Sequence, residues 1–435
     1  MTSVAEEDLG AQLYALVAEL YPIPRSLTGD GVRATLDVVR RHLAVDTVEV
    51  PSGTPVLDWT VPDEWNLRRA YVARADGSRV FDTATDTSLR VLGYSQPVQT
   101  TVDRQELLDR VHTTAAKPDA IPYRTSYYAP TWGFCATEAE QAALDEDRYE
   151  VLIDATLGPG SLTYGEVVIP GQVEDEVLLT AHTCHPELAN DNCSGIAVLA
   201  LAGRRLAARN PRFTYRLLFA PGTIGAITWL ARNPERVQRI AHGIVLAGVG
   251  DRGDLSYQRS RDGDAPVDRA AAHVLRHAGG RVTDFSPWGY DERQFNSPGF
   301  ALPVGRLSRT PHGTYPEYHT SADDLSFVSP GALADSLGAL ERILAVIEGD
   351  GAWRNLAPMG EPQLGRRGLY DDVGGRPDQG DLKLALLWVL NLSDGAHTLL
   401  DVAERAGLPF GVIAEAAALL RNADLLAPAD ESGRP

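Results

Sequence analysis

The stretch Thr180-Ala181-His182-Thr183-Cys184-His185-Pro186-Glu187-Leu188-Ala189-Asn190-Asp191-Asn192-Cys193-Ser194-Gly195 sits between two apolar runs of different texture. Before it, residues 176–181 read as a short buried strand that ends at His182. After it, residues 196–208 read as a helix rich in Ala and Leu. The alternation continues with a strand at 213–220, a helix at 224–232 and a strand at 244–249. Such repetition, over about 149–347, implies a largely parallel sheet covered on both faces. Ligands bind such sheets at loops leaving the carboxyl ends of strands. His182, Pro221-Gly222-Thr223 and Asp251 all occupy that position.

A His at the end of a buried strand is placed to enter a cleft. Asp191 follows nine residues later, just before a helix, and can turn its carboxylate back to the same cleft. Borderline divalent ions take such nitrogen and oxygen ligands. The alternative is that Asp191 or Asn192 caps the helix beside a buried His. A second stretch, Thr310-Pro311-His312-Gly313-Thr314-Tyr315-Pro316-Glu317-Tyr318-His319-Thr320-Ser321-Ala322-Asp323-Asp324, gathers two His, two Asp and a Glu. By itself it reads equally as a surface loop whose Ser321 caps the next helix. Together the two stretches point to a metal site.

Working outward, residues 6–45 read as mostly helical, with a break at Tyr21-Pro22-Ile23-Pro24. The texture of 48–102 is short β-type runs separated by Pro and Gly, as expected of an inserted β-rich unit. The main α/β unit then comprises 1–47 and 103–350, a Gly/Pro/Arg-rich linker covers 351–380, and 381–435 has the rhythm of a winged helix–turn–helix. Residues 381–435 hold eight acids and four bases, so packing or an interface is expected there and DNA binding is not.

The chain has 435 residues and a formal charge of −19, which disfavours nucleic acid and anionic membranes as partners. Its three cysteines give no disulfide framework, and Cys184 and Cys193 read as buried thiols. No apolar stretch reaches the roughly 18 residues of a membrane span. The acidic start lacks a secretory apolar core, so a cytoplasmic location is expected. A homo-oligomer is compatible with all of this.

The chain resembles the bacterial DUF4910 family, aminopeptidase-like proteins related to the zinc-dependent M28 peptidases, with an inserted DUF2172-type β domain and a terminal winged helix. The resemblance covers nearly the whole chain. It runs through residues 21–33, 121–128 and 132–135, the His182–Gly195 motif, Asp291-Glu292-Arg293-Gln294, and residues 315–323. It implies a zinc-aminopeptidase-like doubly wound mixed sheet and one or two zinc ions. Carried over by position, His182 is a ligand, Asp191 the bridging carboxylate and His319 the late His ligand. Asp251 is a further carboxylate candidate, and His185 a ligand or a donor to one.

One position departs from the family pattern. Where an M28 enzyme carries a Glu after the strand ending at Ala220, this sequence has Gly222. Three readings follow. Another carboxylate, Glu292 or Glu317, takes the proton; or a single-zinc site performs acyl transfer, as in the glutaminyl-cyclase branch; or the protein only binds a ligand. Arg124, in the aromatic segment 121–132, is expected either to steady an oxyanion or to form part of a structural seam, and His312 is a second oxyanion candidate. The function expected is hydrolysis of an amide in a small peptidyl or aminoacyl substrate. Such families also serve polysaccharide or specialised-metabolite biosynthesis.

Overall fold

The computed structural model describes residues 4–369 and 379–429. Residues 370–378 of the expected linker and 430–435 of the expected terminal unit lie outside the described residues. The chain forms two compact units, one of Met1–Gly263 with Val282–Gly338, the other of Asp264–Arg281 with Ala339–Pro435.

The first unit is built on an eight-stranded mixed sheet. Its strand order is Asp46–Pro51, Ser161–Ile169, Thr214–Ala220, Glu176–His182, Ile240–Leu246, Val304–Ser308, Ser256–Gln258 and Arg281–Thr283. Thr214–Ala220, Glu176–His182, Ile240–Leu246 and Val304–Ser308 run parallel, with antiparallel strands flanking them. The alternation of strand and helix that predicts a doubly wound sheet is therefore realised. Glu176–His182 is buried at all seven positions, as a central parallel strand covered on both faces must be. The helix Gly195–Ala207 is buried along almost its whole length, which accounts for its Ala and Leu content. Its first residue must be Gly: a Cβ there would stand 2.6 Å from the Leu246 carbonyl oxygen.

The β-rich region differs from its expected limits of 48–102. Asp46–Pro51 belongs to the edge of the main sheet, paired with Ser161–Ile169. A separate four-stranded sheet forms from Arg79–Asp82, Glu64–Ala73, Arg148–Gly158 and Val98–Asp103, in that order. Arg148–Gly158 lies far along the chain from its partners, so no local pattern could have assigned it to this sheet.

In the second unit, Gln379–Leu392, Leu399–Ala406 and Phe410–Asn422 are the three helices of the winged motif. Thr398 and Asp401 form a reciprocal capping box at the start of the middle one. The wing sheet is Asp394–Thr398, Ala352–Asn355 and Leu426–Pro428, so the expected linker begins with a strand of this unit. Pro266–Ala278 joins it: the Phe410 N–H donates to His273 Nε2 at 3.0 Å, and Arg269 pairs with both Asp401 and Glu404. Among the described residues no helix is long and apolar enough to cross a membrane.

Candidate metal centre

The parallel strands Glu176–His182 and Thr214–Ala220 end in register, with His182 opposite Ala220. Beyond His182 the chain turns through a short irregular helix, Ala189–Ser194, every residue of which is buried. Polar staples hold that turn. The Asp323 carboxylate accepts the Asn190 and Asp191 backbone N–H groups at 2.6 and 2.9 Å. Asn192 Nδ2 donates to the Leu246 carbonyl, and its Oδ1 accepts the Gly248 N–H. Arg25 donates to the His185 carbonyl and to Cys193 Sγ, and Cys193 is buried as expected.

So held, Asp191 presents its two oxygens in different directions. Oδ1 meets His182 Nε2 at 2.7 Å. Oδ2 lies 3.0 Å from His319 Nε2, off the line of a hydrogen bond, and 4.0 Å from His185 Nε2. Oδ2 also accepts the Tyr290 hydroxyl at 3.0 Å. Among the described residues, His182, His185 and Asp191 offer donor atoms all within 4.8 Å of one another, and all three are buried. Two imidazoles and a carboxylate around one point, with a third imidazole on the second carboxylate oxygen, is a donor set suited to a borderline divalent ion such as zinc.

The electrostatics agree. Burial raises the Asp191 pKa, but His185 and His182 outweigh it and hold the carboxyl well below its usual range. Burial drives His185 far down, so its imidazole is neutral, the form that binds metal. Aromatic rings fix the imidazoles: Tyr290 stacks on His182 at 4.7 Å, Tyr318 on His319 at 4.0 Å, and Tyr123 packs on both His185 and His319.

Residues 14–350 match the family described as a domain of unknown function, DUF4910. The chain belongs to that family. Residues 351–428 match a winged helix-turn-helix family, which begins where the Ala352–Asn355 strand does. The DUF4910 chain is 46% identical over 421 residues to a Clostridium acetobutylicum protein whose name assigns it to polysaccharide biosynthesis with an aminopeptidase-like domain, covering 96% of each chain. A crystal structure from Clostridium acetobutylicum, named as a peptidase, superposes with a TM-score of 0.92 at 45% identity over 97% of each chain. A zinc aminopeptidase from Bacillus subtilis shares the fold at TM-score 0.56 and 15% identity, over 78% of this chain and 94% of that one.

The other expected residues of the DUF4910 chain are distributed as follows. Asp251 is buried near the cluster, but its oxygens accept from Asn190 Nδ2, Thr310 Oγ1 and the Gly253 N–H, so it braces the loop that carries Asp191. Glu292 is buried in an ion pair with Arg306 at 2.6 Å. Glu317 is half-buried, and its carbonyl accepts the Thr320 N–H and hydroxyl. Arg124 is exposed and lines a cavity of about 640 Å³ with Arg110, His112 and Trp132, while its neighbour Tyr123 contacts the histidines. His312 stands 5.1 Å from the Tyr290 ring with neither nitrogen hydrogen-bonded, and burial lowers its pKa to about 4.

One residue escaped the sequence reading. Asp291 is fully buried, and both of its carboxylate oxygens lack a hydrogen-bond partner among the described residues. Burial pushes its pKa up to about 7 against the pull of His182. Its signal in the sequence was the acidic pair Asp291-Glu292, of which the second member drew attention.

Proposed function

We propose that this protein is a metal-dependent amide hydrolase of aminopeptidase type. The observation that carries the reading is Asp191, buried and ionised, with one oxygen on His182 and the other beside His319 and His185. Such an arrangement suits a carboxylate shared within a metal site, and His182, Asp191, His319 and His185 are the residues that would hold the ion. A zinc ion held by these residues would supply Lewis-acid polarisation of a carbonyl and a bound water with a pKa of about 7. The surrounding residues orient the ligands: Tyr290 and Asn192 hold His182, and Asp323 holds the backbone of Asp191. His312, neutral and unpartnered, is available to donate to a substrate carbonyl or developing oxyanion.

The substrate proposed is a small aminoacyl or peptidyl amide, cleaved to release an amino acid or amine. The name of the Clostridium acetobutylicum relative fits a single biosynthetic intermediate better than peptides in general. The charge of −19 favours a substrate bearing an amine over an anionic one. The test is metal analysis of the purified full chain, followed by a panel of aminoacyl anilides. Stoichiometric zinc, lost in His182→Ala, is expected. Protein that takes up no zinc above background would sink the reading.

A further inference from the structure

We infer that Asp291 is the carboxylate that carries the proton in this site, occupying the space that Gly222 leaves open. The inference rests on the hydrolase reading above and supplies the group that it lacks. Building a Cβ on Gly222 sets it 3.4 Å from Asp291 Oδ1 and 3.2 Å from His182 Cβ. A side chain at 222 would therefore start in van der Waals contact with the Asp291 carboxylate. Strand Thr214–Ala220 delivers no acid to this corner; the turn before Glu292–Phe295 delivers one from elsewhere in the chain.

The residues on either side of Asp291 are each fixed for a different reason. Tyr290 is stacked on His182 and donates its hydroxyl to Asp191. Glu292 is paired with Arg306, and its carboxylate accepts the Tyr290 N–H. Between these two anchors the Asp291 side chain has little freedom, yet among the described residues neither of its oxygens has a hydrogen-bond partner. A fully buried polar group without a partner is unfavourable, because it has lost its water and gained nothing in exchange. A fold retains such a group where something outside the chain completes it. Glu292 and Asp251 have no such spare capacity, since their oxygens are engaged by Arg306, Asn190 and Thr310.

The chemistry balances without a further reactant. As the oxygen of water bonds to the amide carbon, one of its protons passes to the Asp291 carboxylate. As the C–N bond breaks, that proton is returned to the nitrogen, giving an amine and a carboxylic acid. No electrons are exchanged with any redox partner.

The experiment compares the wild type, Asp291→Asn, and the double variant Gly222→Glu/Asp291→Asn, all full length. Zinc content is measured for each, together with kcat and KM on the best aminoacyl anilide. The pH midpoint of the visible spectrum after cobalt(II) substitution is also recorded. Asp291→Asn is expected to keep its zinc and KM while kcat falls about 10²–10⁴-fold. Its cobalt midpoint shifts. The double variant regains at least about tenfold of the lost rate, because the carboxylate introduced by Gly222→Glu reaches the same corner. An unchanged rate and an unchanged cobalt midpoint in Asp291→Asn would overturn the inference, as would loss of zinc from that variant. The cobalt titration decides the matter even where no anilide in the panel is cleaved. Should Asp291→Asn not fold, Asp291→Ala serves the same comparison. A wild type that binds neither zinc nor cobalt fails the hydrolase reading itself; metal uptake with an indifferent Asp291 fails only this inference.

Discussion

The neighbouring strands Glu176–His182 and Thr214–Ala220 reach the same edge of the sheet side by side, yet they end in opposite chemistry. The first delivers His182 and then a loop that brings His185 and Asp191 to within 4.8 Å of it. The second delivers Pro221, Gly222 and Thr223, with no ionisable group. One side of the site is thus dense with metal donors, and the other is bare on its own strand. The bare side is furnished instead by the turn at 290–292, where three consecutive residues face three different tasks. Tyr290 supports the metal ligands, Asp291 stands free beside Gly222, and Glu292 is tied into the sheet through Arg306. A fold can keep a reactive corner after losing a side chain there when another loop is rigid enough to fill it.

The division between Asp291 and Glu292 can be tested directly. Glu292 and Arg306 are both buried and paired at 2.6 Å. Removing one partner of a buried pair destabilises by about 3–5 kcal/mol. Glu292→Gln is therefore expected to lower stability by that amount in denaturant unfolding, with zinc content unchanged in the folded fraction. A variant as stable as the wild type, but inactive, would return Glu292 to the role of proton carrier.

An effect of comparable size, with the sign reversed, is expected for Asp291. Its pKa is raised by burial from the ordinary carboxyl value to about 7 in the folded protein. Between those values the unfolded chain has lost the proton and the folded chain still holds it. Stability of the metal-free protein then falls as pH rises, by up to about 1.4 kcal/mol per unit of pH across that window. Above pH 7 the penalty is complete. Asp291→Asn, which cannot ionise, is expected to raise the melting temperature of the metal-free protein at pH 8 by more than at pH 5. An equal change at the two pH values would show that burial does not hold Asp291 protonated.

These adjacent residues also mark where sequence reading succeeds and where it stops. The central strands were legible because strands buried on both faces are continuous apolar runs, and the helices because their apolar residues repeat with helical period. The strand expected at 244–249 lies instead at Ile240–Leu246, a slip that a continuous apolar run invites. His182, Asp191 and His319 were nameable from strand ends and family resemblance, and they are brought together here. Two expected residues, Arg124 and Glu292, each stand one position from a side chain that lies nearer His182 or His185. Successive residues of an extended segment point to opposite faces, so Tyr123 meets the histidines and Arg124 the cavity on the other side. At a helix start, neighbours diverge by about 100°. Whether Asp291 or Glu292 turns inward then depends on Arg306, and that dependence is tertiary.

On the donor-rich side, the most informative change lies beneath the ligands. Among the described residues the Asp323 side chain accepts no hydrogen bond from a histidine; its two oxygens accept the N–H groups of Asn190 and Asp191. Burial raises its own pKa well above the ordinary value, opposed by those same hydrogen bonds. The change Asp323→Asn keeps one acceptor and turns an amide NH₂ toward the second N–H, which leaves a buried donor facing a donor. The Asp191 backbone then relaxes, and the carboxylate loses its fixed approach to His182. Partners that orient metal ligands are typically worth about 10–100-fold in metal affinity. Asp323→Asn is expected to weaken zinc binding by about that factor in a chelator competition, with the remaining zinc-loaded fraction still active. An unaltered zinc affinity would mean that His182, His185 and His319 hold the ion without help from the loop, and that Asp191 needs no bracing to join them.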